Sequence, residues 1–143
     1  MDETDRGLLA HLSKNARMPV AIIARRMGLA RSTVQARIER LETRGIIAGY
    51  ALKLGDAARE GAIRATVLIS IEPRATGPVL ARLKSLPQIE TAHTASGRFD
   101  MILNVTARTT SELDQTLDAI GEIDGVKSSE SLIHLSTRID RAG

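Results

Sequence analysis

Six arginines between residues 25 and 44 are the side chains best suited to chemistry in this chain: Arg25, Arg26, Arg31, Arg37, Arg40 and Arg44. A guanidinium is a planar fork of donors that bonds a phosphate, or the O6/N7 edge of guanine, through two parallel hydrogen bonds. Among them lie Gln35, which can pair with adenine, Ser32 and Thr33, which add polar contacts, and Ala36, short enough to let a helix approach closely. The chemistry on offer is phosphate binding and base-edge reading in a DNA major groove. A solvated basic face on an ordinary helical hairpin is the plainer alternative.

Two helices and a turn must position these residues. Ile22, Ile23 and Met27 make an apolar stripe, Gly28 gives a sharp turn its backbone freedom, and Leu29 fills the angle. Val34, Ile38 and Leu41 then recur at i, i+4 and i+7, which buries one face of a second helix. At about 100° per residue the opposite face carries Ser32, Gln35, Ala36, Glu39, Arg40 and Thr43, flanked by Thr33, Arg37 and Arg44. Turn, spacing and charge agree on a helix-turn-helix, with Arg25 and Arg26 touching the DNA backbone from the preceding helix. A further helix, opened by Asp2, Glu3 and Asp5 and running through Leu8, Leu9 and Leu12 to Asn15, completes a three-helix core. Pro19 starts the next helix, and the third stops near Gly45.

Charge separates this region from the rest. Residues 1–50 hold nine Lys or Arg against five Asp or Glu, a net +4, while residues 51–143 hold eleven against twelve, a net −1. Salt-sensitive binding of a polyanion is therefore expected of the first module alone. Tyr50 and Phe99 are the only aromatic residues, too few to stack single-stranded bases, so duplex DNA is the better ligand. The absence of cysteine excludes disulfides, thiol nucleophiles and thiolate metal sites. No apolar run is long enough for a membrane span or resembles a signal segment, so a cytoplasmic chain with no membrane partner is expected.

After Gly45, residues Ile46 to Leu52 read as a short extended segment, and the glycine-containing stretch at about 53–62 as a linker. Then come a strand from Ala65 to Ile71 and a helix opening at Thr76 to Pro78 and closing before Pro87. Two strands follow, Ile89 to Thr94 and Phe99 to Thr106, the latter with Phe99, Met101, Leu103 and Val105 on one face. Thr109 and Glu112 resemble a capping box opening a helix that buries Leu113, Leu117 and Ile120, and Val126 to Ser136 supplies the last strand. The order is βαββαβ: four strands with both helices on one face. The uncovered face, with apolar residues from Ala65 to Ile71 and Ala92 to Val105, invites self-association.

Taken together, DETDRGLL at 2–9, NAR at 15–17, MGLARSTVQARIERLETRGIIAGY at 27–50 and SGRFDMILNV at 96–105 resemble the Lrp/AsnC family of feast/famine transcriptional regulators of bacteria and archaea. The resemblance implies an α+β chain: a winged-type helix-turn-helix domain at 1–50, a linker with a short strand at 51–62, and a βαββαβ ferredoxin-like domain at 63–140 for effector sensing and oligomerisation. It also implies a sequence-specific DNA binder in the cytoplasm, associated with the nucleoid, forming dimers and octamers and sensing a small molecule, commonly an amino acid. By motif the recognition helix is Arg31 to Thr43, and the effector turn is Gly97, Arg98, Phe99 and Asp100 at a junction between subunits. Amide groups there and Arg98 can hold an effector carboxylate, and Asp100 can accept from its ammonium group. Alternatively, Gly97 serves only a turn that needs positive φ, and Asp100 only satisfies local N–H groups.

The chain departs from the family pattern at Ala30, where a serine usually caps the recognition helix. Ser32 with Gln35 is a candidate substitute cap, in which case Ser32 is less available to DNA. Two other functions stay open: an effector-independent architectural DNA-binding protein, and an enzyme like the siroheme decarboxylases, which share the two-module architecture. Against catalysis, His11, His93 and His134 are isolated in sequence, no HExxH, Walker-type or GxSxG motif is present, and two aromatics cannot line a tetrapyrrole pocket. No catalytic residue, metal ligand or cofactor is assigned.

Overall fold

The computed structural model describes residues 1–141. Its backbone forms two compact units, one spanning Met1–Lys53 and one spanning Leu54–Asp140.

The first unit is three helices: α1 (Glu3–Lys14), α2 (Val20–Met27) and α3 (Arg31–Thr43). Asp2 caps α1, its carboxylate accepting the Asp5 N–H at 2.9 Å, and Asn15 ends the helix. Between α2 and α3, Gly28 stands at φ +66°, a left-handed conformation that glycine adopts without the penalty of a Cβ. The Leu29 N–H returns to the Ala24 carbonyl at 2.9 Å and locks that turn. Leu8, Ile23, Ala24, Val34 and Ile38 form the core, with Leu12, Met18, Val20, Met27 and Leu29 packed around it.

The start of α3 corrects one expectation. Ala30 is the N-cap, and no side chain caps the helix. Ser32 lies inside the first turn, and Gln35 donates instead to the Glu39 carboxylate at 3.1 Å, so the proposed Ser32/Gln35 capping box does not form. Geometry explains this: a cap must stand in extended backbone, which is the conformation of Ala30 (φ −72°, ψ 146°).

The expected strand between residues 46 and 62 is also absent. The only regular element there is the short helix α4 (Asp56–Arg59). Among the described residues no other strand pairs with the 46–52 backbone, and an extended segment without a ladder partner is not a strand.

The second unit continues with β1 (Ile63–Ile71), α5 (Thr76–Lys84), β2 (Ile89–Thr94), β3 (Met101–Ala107), α6 (Thr110–Gly121) and β4 (Val126–Ile133). All paired strands are antiparallel, in the order β2-β3-β1-β4. Alternation along β1 buries Ala65, Val67, Ile69 and Ile71, and along β3 Met101, Leu103, Val105 and Ala107. These pack against Val79 and Leu83 of α5 and Leu113 and Ile120 of α6. Thr109 caps α6, accepting from the Glu112 N–H at 3.0 Å, while the Glu112 carboxylate reaches back to the Arg108 N–H at 3.0 Å. β3 starts two residues later than expected, leaving Phe99 in the preceding loop, because Asp100 turns its N–H and its carboxylate toward β1. β4 ends at Ile133, although the His134 N–H still reaches the Arg64 carbonyl at 2.9 Å.

Candidate nucleic-acid interface and ligand turn

On α3 the buried residues are Val34, Ile38 and Leu41, which turns the rest of the helix outward. Arg31, Ser32, Thr33, Gln35, Ala36, Arg40 and Arg44 are exposed, as are Arg25 and Arg26 on α2. The three-helix packing therefore leaves nine of the ten residues expected at the DNA surface accessible. Among the described residues, Arg25, Arg26, Arg31 and Arg44 have no carboxylate partner. No helix in the described residues is long and apolar enough to cross a membrane.

Arg37 is the exception. Its side chain is only 26% exposed and donates to both oxygens of Asp2, at 2.9 and 2.8 Å, and to Asp5 at 3.1 Å. Hydrogen bonds to Asp2 and then Asp5 raise the Arg37 pKa further, and the same bond to Arg37 lowers that of Asp2 to about 2. Asp5 is 2% exposed, and its second oxygen faces Arg40 at 3.5 Å. Sequence reading missed the burial of Asp5, treating it as one more acid at a helix start. The available signal was its spacing from Leu8 and Leu12, at i+3 and i+7, which puts Asp5 on the inward side of α1.

In the second unit, the expected effector residues occupy the loop joining β2 to β3. The Ala95 N–H bonds the Asp100 carbonyl at 2.9 Å, and the Asp100 N–H bonds the Ile69 carbonyl at 2.8 Å. One Asp100 carboxylate oxygen accepts the Ile71 N–H at 2.7 Å, where the β1–β4 register shifts between Ser70 and Ile71. Asp100 thus satisfies a backbone donor just beyond the last β1–β3 pair, Ile69 with Met101. Gly97 stands at φ +148° with open space around the position of a Cβ, so conformation and not crowding selects glycine there. Arg98 is 83% exposed, lies over the Phe99 ring at 5.1 Å and approaches Glu130 at 3.7 Å. Among the described residues the N–H groups of Gly97, Arg98 and Phe99 have no protein acceptor.

The sheet face away from α5 and α6 is more mixed than expected. Most of the apolar residues in 65–71 and 92–105 belong to the buried core under the helices, leaving Leu68 and Ile102, joined by Leu132, among Thr66, Thr91, His93, Asn104 and Glu130.

Family comparison agrees with both halves of this geometry. Residues 1–42 match the AsnC-type helix-turn-helix domain, and residues 64–143 match the Lrp/AsnC ligand binding domain. The chain belongs to the Lrp/AsnC family. An HTH-type transcriptional regulator of Pyrococcus abyssi is 32% identical over 139 residues, 96% of this chain and 88% of that protein. The HTH-type transcriptional regulator LysM of Saccharolobus solfataricus is 30% identical over 138 residues, 96% and 95% of the two chains. Among solved structures, AsnC from E. coli aligns with a TM-score of 0.89 at 28% identity, covering 99% of this chain and 96% of its own. A feast or famine regulatory protein from M. tuberculosis, complexed with L-methionine, aligns at 0.86 and 29%, covering 99% and 97%. The two matched modules of this Lrp/AsnC chain are those of a DNA-binding, ligand-responsive transcriptional regulator.

Proposed function

We propose that this Lrp/AsnC chain binds specific duplex DNA through α3 and adjusts its assembly or affinity to an amino acid held by the β2–β3 loop. The boundaries that serve this reading are 1–50 for DNA binding, 51–62 for the linker and 63–140 for sensing and oligomerisation. The observation that carries it is the outward face of α3 and its C-cap, where Arg31, Arg40 and Arg44 stand with Ser32, Thr33, Gln35 and Ala36 opposite the buried Val34, Ile38 and Leu41. Arg40 and Gln35 suit base edges, while Arg25, Arg26, Arg31 and Arg44 suit phosphates.

For the effector, the three unpartnered N–H groups of Gly97, Arg98 and Phe99 and the exposed Arg98 guanidinium suit an α-carboxylate. One Asp100 carboxylate oxygen already accepts from Ile71, and the other is open to an ammonium group. Homo-oligomers, dimers and octamers among them, assemble through the open sheet face, and the protein works without enzymatic activity in the cytoplasm, on the nucleoid. The bond between Asp100 and Ile71 favours a second reading, an architectural DNA-binding protein whose loop is purely structural. Size-exclusion chromatography and DNA titration with a pool of amino acids separate the two, because only the first predicts a shift.

Arg40→Ala tests the interface directly. A loss of about 1–3 kcal/mol at the cognate site with little change on scrambled DNA marks a base reader, and an equal loss on both marks a phosphate contact. Unchanged affinity on both contradicts either role.

A further inference from the structure

Resting on the reading of α3 as the recognition helix, we propose that Asp2 and Asp5 act as an internal phosphate mimic. They occupy Arg37 and so cap the sequence-independent part of DNA affinity.

Arg37 meets three carboxylate oxygens, two from Asp2 at 2.9 and 2.8 Å and one from Asp5 at 3.1 Å. These contacts join α1 to α3 across more than thirty residues of sequence, so they belong to the tertiary structure and not to local chain geometry. Asp5 is 2% exposed and has one oxygen on Arg37 and the other 3.5 Å from Arg40. Arg37 therefore cannot move to a DNA phosphate without leaving a buried carboxylate undercompensated, a costly arrangement. Arg40, with the longer contact and a half-exposed side chain, remains available. The Asp2 carboxyl, held at a pKa of about 2, stays charged throughout the neutral range, so the mimic is permanently present.

DNA binding releases counterions in proportion to the phosphates neutralised, with a slope of log K against log salt near −0.9 per contact. The six arginines between residues 25 and 44 then count as at most five toward DNA. Asp2→Asn is the clean probe: asparagine keeps the cap on α1 because its carbonyl still accepts the Asp5 N–H, but one of the two carboxylates that hold Arg37 is gone. Glu3→Gln is the charge-matched control, because Glu3 pairs with Arg6 and not with α3.

The experiment is anisotropy titration of a scrambled duplex across a salt series. Relative to Glu3→Gln, Asp2→Asn is expected to bind up to about tenfold tighter at low salt, with the slope steeper by up to about 0.9, the value for one whole phosphate contact. Adding Arg37→Gln should remove that gain, whereas Arg37→Gln alone should leave the slope at its wild-type value. An Asp2→Asn slope equal to that of Glu3→Gln, or a shallower slope for Arg37→Gln alone, overturns the proposal. If the wild-type chain shows no salt-dependent binding at all, the recognition-helix reading falls, and the proposal with it.

Discussion

Beside the small apolar core of the helix-turn-helix unit, Leu8, Ile23, Ala24, Val34 and Ile38, sits a carboxylate that is 2% exposed and bridged to two arginines. The sheet unit buries a larger cluster, from Ala65 on β1 to Ile123 after α6. Its one buried polar side chain among the described residues is Thr116, whose hydroxyl donates to the Glu112 carbonyl at 2.8 Å. A short three-helix unit has little apolar area to remove from water, so caps and ion pairs carry a larger share of its stability. Arg37 and Arg40, two of the arginines expected at a DNA surface, are drawn into that role.

That contrast is open to direct attack. The largest effect is expected from Leu103→Ala, which empties the centre of the sheet core and should cost about 2–5 kcal/mol in denaturant melts, with hydrogen exchange showing the loss in residues 63–133. Next comes Asp5→Asn. Loss of the buried charge weakens the bonds from Arg37 and Arg40 and should cost about 1–3 kcal/mol, read by exchange protection of α1 and α3, with the sheet unaffected. Ala30→Ser supplies the missing cap and should stabilise the helix-turn-helix by about 1 kcal/mol; no gain would mean the end of α3 is already satisfied.

The smallest effect is that of acid. Asp2 has a pKa of about 2 in the folded chain against 3.8 ordinarily, a depressed value. Its contribution to stability is therefore full above about pH 4 and lost as pH falls toward 2. Thermal melts over that range should weaken less for Asp2→Asn than for the wild-type chain.

Most of the helix boundaries could be read in advance because each rests on a local signal: Asp2 before α1, Gly28 after α2, Thr109 before α6. Strand alternation likewise placed the inward residues of β1 and β3. What could not be read depends on partners distant in sequence. Asp100 is drawn out of β3 by Ile69 and Ile71, some thirty residues away, and among the described residues no strand pairs with Ile46 to Leu52. The outward face of α3 followed from periodicity alone, but the capture of Arg37 required α1 to be laid against α3. Ser32 failed as a cap because capping depends on backbone φ and ψ, which residue type only biases.

The most direct measurement is a fluorescence-anisotropy titration of the wild-type chain against the upstream DNA of its own gene and a scrambled duplex, at two salt concentrations, with and without a pool of amino acids. Tighter binding to the upstream DNA is expected, weakening on both duplexes as salt rises, with a shift of affinity when the pool is present. Absence of binding to either duplex at low salt would contradict it.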